Sequence, residues 1–312
     1  MRNYKNFNIY HHIVFPEFSY KSKGYCNLTP DEQIINYLNN SSCCKIRRIK
    51  RLVYMNAELG CEVLIAAINN DHNKKIIKYL IDCGCDTSST DYNNDNALTV
   101  CIRRNRIDIL DLILESRIDL NMVDKTGTTP LMIASILGNE TILELLKNNG
   151  ARLCVKDRDG NSVLHHAVKT NHYSIVKKLV NWGVDINIRN KCGETPLCFA
   201  INHDIIRLLL KNGANPNHYD RNKNTLLHKM VKYSSIRCIK LLIDYHANPL
   251  ICNKAYMNVI DYARIQNKTD IVNLLTTYSI FVKQQYRCLV EDILAENKQE
   301  FNLNKLIISY LF

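Results

Sequence analysis

Apolar and polar positions along this chain recur together about every 33 residues. One aliphatic column reads Leu64, Leu98, Leu131, Leu164, Leu197, Leu227 and Ile260, at steps of 34, 33, 33, 33, 30 and 33. Three places after it stand Ala134, Ala167, Ala200 and Ala263, with Cys101 in the second copy. Residues three apart share one helix face, and a small one lets neighbouring helices approach. A second apolar stripe follows in each copy, as in Ile142, Leu145 and Leu146. Gly150, Gly183 and Gly213 then sit where a left-handed residue ends a helix. Each period therefore predicts two helices and a turn. One such unit cannot bury its own apolar face and must stack on its neighbours. The expected fold is an all-α solenoid of helix-turn-helix repeats with β-turn fingers, about seven to eight repeats with capping helices. A stack of this kind offers an extended surface to a partner rather than a closed pocket to a substrate.

Local signals agree with that phase. Thr129-Pro130 and Thr195-Pro196 read as an N-cap hydroxyl followed by a proline whose missing N–H costs nothing in the first turn. Asp124 and Gly127 suit the preceding turn, through side-chain-to-backbone bonding and a positive φ. His165 and His228 share one slot in this pattern and read as structural hydrogen-bonding residues. Other copies are worn. The second has Asn96-Ala97 instead of Thr-Pro and Arg117 at the helix-ending glycine slot, where the sixth has His246. A non-glycine residue held left-handed costs about 1–2 kcal/mol. The fifth copy is three residues short, with 13 steps from Ala200 to Gly213 against 16 from Ala134 to Gly150.

The sequence Asp124-Lys-Thr-Gly127-Thr-Thr129-Pro130-Leu131-Met-Ile-Ala134, with Asn190-Lys-Cys-Gly193-Glu-Thr195-Pro196-Leu197 and Leu164-His165-His-Ala167, resembles the ankyrin repeat. The resemblance divides the chain into an N-terminal extension (1–28), a worn first repeat or cap (29–57) and seven repeats over 58–278. Their bounds are about 58–90, 91–123, 124–156, 157–189, 190–219, 220–252 and 253–278, followed by a C-terminal helical cap at 279–312. The cap reads as two short helices, one striped by Val282, Tyr286, Leu289, Val290, Ile293 and Leu294 and one by Leu303, Leu306, Ile307, Tyr310 and Leu311. A docking helix for a partner is the other reading of this segment. The mixture of regular and worn copies is similar to the ankyrin-repeat proteins of poxviruses, avian ones especially. That resemblance implies a viral protein that binds host proteins and blunts antiviral responses. Many members carry a C-terminal segment that recruits a cullin-type ubiquitin ligase, usually opening with Leu-Pro. This chain has no proline after Pro249, so the pure repeat type is favoured over a ligase adaptor.

Composition narrows the function further. The 312 residues are 46% hydrophobic and 23% charged, with no apolar run long enough for a membrane span. The start, Met1-Arg-Asn-Tyr-Lys-Asn, lacks the apolar core of a signal peptide. The 13 scattered cysteines, several in core slots, fit free thiols in a reducing cytoplasm. No glycine-rich phosphate loop, nucleophile elbow or paired Cys-x-x-Cys spacing is present. No catalysis, cofactor, metal, membrane or small-molecule substrate is expected. The net charge of +11 points to an anionic partner, and a protein with an acidic surface fits best. Nucleic-acid binding through a basic groove is the distant alternative, and no aromatic stacking pattern accompanies the densest basic run. The basic run Lys45–Arg51 reads as a solvated helix face, or alternatively as a nuclear-import or nucleic-acid patch.

In ankyrin-like stacks the turn tips and the outer ends of the first helices line a concave groove. Carried onto this chain, the tip slots hold Tyr92, Asn93 and Asp95, then Lys125, Thr126 and Thr128, Arg158, Asp159 and Asn161, Lys191, Cys192 and Glu194, and Arg221, Asn222 and Asn224. The first-helix slots hold Arg103, Arg104, Ile136, Leu137, Lys169, Thr170, Asn202, His203, Lys232 and Tyr233. Eight of these side chains are basic and three acidic, a groove charge of +5. Ile136 and Leu137 are apolar where polar residues are usual. They read either as a partner anchor with a charged rim or as a pair tucked against a neighbouring finger.

Overall fold

The structure is a computed structural model that describes residues 28–40, 46–54, 59–116 and 118–296. Residues 1–27 of the N-terminal extension, Arg117, the side chains of the first C-terminal stripe and the whole of the second stripe lie outside the described residues. Fifteen α-helices and one 3-10 turn follow one another among the described residues, with no strand. They run α1 Pro30–Asn40, α2 Ile46–Tyr54, α3 Cys61–Asn69, α4 Lys74–Asp82, α5 Ala97–Arg103, α6 Ile107–Glu115, α7 Pro130–Leu137 and α8 Glu140–Asn148. They continue with α9 Val163–Lys169, α10 Tyr173–Asn181, the 3-10 turn Pro196–Phe199, α11 His203–Lys211, α12 Leu226–Lys232, α13 Ile236–Asp244, α14 Val259–Ile265 and α15 Thr269–Glu296.

First helices stack on first helices and second on second, α3 on α5 on α7 on α9, and α4 on α6. The aliphatic column is the spine of that stack: Leu64, Leu98, Leu131, Leu164, Leu197, Leu227 and Ile260 are all buried. Cys101 is fully buried in its alanine slot, where its thiol donates to the Arg106 carbonyl at 3.1 Å. Loss of solvent pushes the Cys85 and Cys101 thiols up to about 12, so they sit in the core as small neutral groups.

Each first helix is capped as its local sequence dictates. Thr129 accepts the Met132 N–H at 3.3 Å, ahead of Pro130. Asn96 does the same for Thr99 at 2.9 Å, so the loss of Thr-Pro leaves the second copy capped. In the fourth and sixth copies the histidine completes the box. Ser162 N–H donates to His165 Nδ1 at 3.0 Å and Thr225 N–H to His228 Nδ1 at 3.2 Å. With Nδ1 accepting, Nε2–H donates across to the next repeat, to the Glu194 carbonyl at 3.1 Å and the Met257 carbonyl at 3.3 Å. Burial drives the His165 imidazole down to about 4 and lowers His228 as well.

Two sequence readings change. The first C-terminal stripe does not form a separate short helix within 279–312. One helix runs from Thr269 through the boundary at 278 to Glu296, because that stretch contains neither glycine nor proline to stop it. The shortened fifth copy loses its first α-helix. Pro196–Phe199 forms only a 3-10 turn and Ala200 is extended. Asn202 therefore caps α11 through the Asp204 N–H at 2.8 Å, and His203 opens that helix. Neither occupies a first-helix slot. The same deletion removes the left-handed residue that other copies carry after the first helix, as at Asn105, Gly138, Asn171 and Ser234.

Candidate functional site

The fingers are built by one repeated bond pattern. Asp124 Oδ1 accepts the N–H of Thr126 at 2.8 Å and of Thr128 at 3.0 Å, while its own N–H donates to the Thr128 carbonyl at 3.1 Å. Asp91, Asp157, Asn190, Asp220 and Asn253 repeat it. The short acceptor side chain replaces the bonds a strand pair would supply. Adjacent tips are also joined. Arg158 N–H donates to the Thr126 carbonyl at 3.1 Å, Lys191 N–H to Asp159 at 2.9 Å and Lys254 N–H to Asn222 at 2.8 Å. The residue just after the Asp or Asn is thereby fixed in backbone position while its side chain is free to face solvent.

That residue is Tyr92, Lys125, Arg158, Lys191, Arg221 and Lys254 in successive fingers, and all six are exposed. The structure brings the tip residues of the sequence reading into one row and adds Lys254. Its finger was missed because the seventh copy has neither Gly nor Thr-Pro. The signal available was Asn253, 33 residues after Asp220. Lys125 Nζ lies 5.8 Å from the centre of the Tyr92 ring, a cation–π contact. Asp95, Thr128, Asn161 and Glu194 instead turn partly or fully inward.

Arg103 departs from its expected role. Its guanidinium lies 2.6 Å from Asp124 Oδ2 and 3.4 Å from Asp95 Oδ1, so its charge is used inside the stack. Burial alone would raise the Asp124 carboxyl. The Thr126 hydroxyl, the Thr128 and Thr126 N–H groups and Arg103 outweigh it and hold the carboxyl below the usual range. The pairing also shows that a first-helix end reaches the finger bases, so both rows share one face. Arg104 Nε donates to Asn69 Oδ1 at 3.0 Å. Among the described residues, Lys125, Arg158, Lys169, Lys191, Arg221, Lys232 and Lys254 have no carboxylate within ion-pair distance.

At the first-helix ends the two anchor readings divide. Ile136 is half-buried and its carbonyl accepts the His172 Nε2–H at 3.0 Å. Leu137 is 49% exposed. Three further apolar side chains line the ends of the later first elements: Ile201 at 59%, Tyr233 at 60% and Ile265 at 67% exposure. Ile201 and Ile265 were not readable as surface residues. Ile201 is exposed because the fifth copy ends in a 3-10 turn, and Ile265 belongs to the worn seventh copy. In the fourth copy Lys169 corresponds to Ile136 and is exposed, while Thr170 corresponds to Leu137 and is half-buried.

The described surface is an open face with shallow hollows. Two shallow hollows of about 220 and 230 Å³ lie between second helices and beside α13 and α15. Small-molecule sites run to about 300–1,000 Å³. Among the described residues no three His, Cys, Asp or Glu side chains are grouped to hold a metal ion. No described helix is long and apolar enough to cross a membrane.

Comparison with known proteins agrees with the geometry. A family model described as ankyrin repeats (3 copies) matches five overlapping segments, 33–124, 112–190, 153–220, 182–253 and 197–286. Two ankyrin repeat proteins of Acanthamoeba polyphaga mimivirus are similar. One is 30% identical over 91 residues, covering 27% of this chain and 56% of the relative. The other is 35% identical over 78 residues, covering 25% of this chain and 19% of the relative. The chain thus spans about half the length of one relative and a fifth of the other. Ankyrin repeats are protein–protein interaction scaffolds, and no enzymatic family is indicated. With the repeat matched from residue 33 to 286 and the same capped helix pairs and Asp- or Asn-built fingers along it, the chain belongs to the ankyrin-repeat family.

Proposed function

We propose that this chain is a non-catalytic viral module that captures host proteins on the face shared by its finger tips and first-helix ends. The observation that carries this reading is the exposed apolar row Leu137, Ile201, Tyr233 and Ile265 lying beside a row of unpaired cations. An apolar centre with a charged rim is how interface energy is usually distributed. The basic side chains speed association and orient an acidic partner more than they add affinity. The viral part is supported by the mimivirus relatives, and host modulation by the poxvirus resemblance of the repeats. The ligase-adaptor alternative rests on 279–312, most of whose side chains lie outside the described residues.

Leu137→Asp tests the anchor. It places a charge at a half-exposed site, so the fold is expected to survive, as circular dichroism would show. Affinity purification from host-cell lysate, quantified by mass spectrometry, is expected to recover one or a few proteins with the natural chain. Those proteins should fall at least tenfold with the variant, since a central apolar anchor is worth about 2 kcal/mol or more. Equal recovery by a folded variant removes Leu137 from the interface.

A further inference from the structure

The finger-tip row has a regularity that protein capture in general does not require. From the third finger to the seventh, the residue after the Asp or Asn is a cation every time: Lys125, Arg158, Lys191, Arg221 and Lys254. Its backbone is tied to the preceding tip in three of the four steps. Where that bond is present the rungs follow the stacking of the first elements, about 8–10 Å apart, and the step without it, from Lys191 to Arg221, crosses the 3-10 turn. All five side chains are exposed and none has a carboxylate at ion-pair distance among the described residues. The row is bracketed by two of the most exposed aromatic rings of the described chain, Tyr92 at 82% and Tyr256 at 90%.

Tyr256 carries a second observation. It holds the left-handed tip position at φ 58, as does Lys223, where the third to fifth fingers use glycine. Such backbone costs about 1–2 kcal/mol in a non-glycine residue. Strain of this kind persists where the surrounding structure fixes it and clusters at binding sites. The Asn253 bonds to the Ala255 and Met257 N–H groups and the Tyr256 N–H bond to the Asn253 carbonyl fix that backbone and leave the Tyr256 ring almost wholly in solvent.

We propose that the tip row from Tyr92 to Tyr256 binds an acidic segment of a protein partner in the polyproline II conformation, with an acidic side chain at every third residue. Polyproline II has three residues per turn and rises about 3.1 Å per residue. Side chains at i, i+3 and i+6 therefore lie on one face about 9 Å apart, matching the rungs one to one. An extended strand presents every second residue on a face, about 7 Å apart, and falls out of register within two rungs. The terminal tyrosines offer flat apolar surfaces for prolines of the segment. A polyphosphate backbone fits less well, because Asp159 places an exposed carboxylate in the middle of the row. The proposal rests on the protein-binding reading above and specifies the partner's chemistry for the tips.

The test uses the full chain and a fluorescein-labelled 18-residue probe of Glu-Pro-Pro repeated six times, read by fluorescence anisotropy at two salt concentrations. The control probe has the same composition with its six glutamates clustered at one end. The period-three probe is expected to bind about tenfold more tightly than the clustered one. The triple variant Arg158→Gln, Lys191→Gln, Arg221→Gln is expected to abolish that preference and weaken binding about tenfold, three exposed pairs being removed. The triple variant Lys74→Gln, Lys177→Gln, Lys240→Gln removes the same charge from exposed second-helix positions and should change binding less than twofold. Equal binding of the two probes, or equal losses in the two triple variants, overturns the proposal in favour of unspecific charge attraction. Tighter binding of single-stranded oligothymidine, lost in the tip variant, overturns it in favour of a nucleic-acid surface. If host proteins depend on Leu137 but not on the tip triple, the capture reading stands and this one falls.

Discussion

Acidification from pH 7 to pH 4 is expected to remove about 3 kcal/mol of stability through His165 alone. The imidazole sits in the stack at 2% exposure with both nitrogens committed, Nδ1 to the Ser162 N–H and Nε2 to the Glu194 carbonyl. A proton on Nδ1 would displace an N–H donor and bury a charge. Burial accordingly holds the folded value near 4 against 6.5 for the free group. Above pH 6.5 neither state binds the proton and the stabilisation is complete. Between 6.5 and 4 only the unfolded chain takes it up, and stability falls by up to about 1.4 kcal/mol per pH unit. His228, lowered by the same cause, acts in the same direction. Asp108, held low by Arg106, Asp86, held low by Ser89, and Asp124 lose their contributions only below the ordinary value of 3.8, and Glu140, held low by Ser174 and Lys178, below 4.5, so the window above 4.5 belongs to the histidines. Urea unfolding at pH 7, 5.5 and 4.5 measures it. His165→Gln should be less stable at pH 7 and show a slope shallower by about 2 kcal/mol over that window. An unchanged slope means that His165 titrates normally in the folded chain.

Gly138→Ala is expected to cost about 3 kcal/mol. Gly138 ends α7 at φ 73, where any side chain adds about 1–2 kcal/mol. A β-carbon there would also lie 2.5, 2.7 and 2.9 Å from three atoms of the His172 ring. That ring is tied to the Ile136 carbonyl, so it cannot move without releasing the end of α7. Overpacking of this kind adds about 1–3 kcal/mol. Gly213→Ala is the matched control. Its φ is 89 and nothing lies within 4 Å of the added carbon, so only the backbone cost of about 1–2 kcal/mol applies. Chemical denaturation of both variants separates the two contributions, and equal costs would mean that the His172 ring yields freely. A folded Gly138→Ala chain should also lose partner capture, because Leu137 precedes the disturbed residue.

Much of the fold is legible in the sequence, because each element announces itself locally. Leu131, Ala134, Thr129-Pro130 and Asp124 each act within four residues of themselves, and the period repeats the message. The structural reading of His165 and His228 has the same origin. What escapes the sequence is set by neighbours one repeat away. Arg103 looks like a free cation until Asp124, 21 residues on, takes its charge. Ile201 looks like a core residue until the missing three residues reduce its helix to a 3-10 turn. Lys254 and Ile265 lie in a copy whose glycine and Thr-Pro marks are gone, although the Asn253 bond pattern is intact. The tip and helix-end residues were placed by family geometry, and which of them touch a partner depends on the partner's own surface.

The 3-10 turn in the fifth copy also divides the molecule energetically. It packs closely against α9 and only lightly against α12. In a linear array, stability is a sum of unit terms and nearest-neighbour couplings, so one weak coupling limits how far order propagates. The repeats on either side of Pro196–Phe199 then behave as two cooperative blocks joined by a soft seam. Amide exchange should reveal the seam as two protection levels with a step at this turn, and a uniform profile would mean that the array melts as one. A partner lying across both blocks would hold the seam shut, and part of its binding energy would go into making the array rigid.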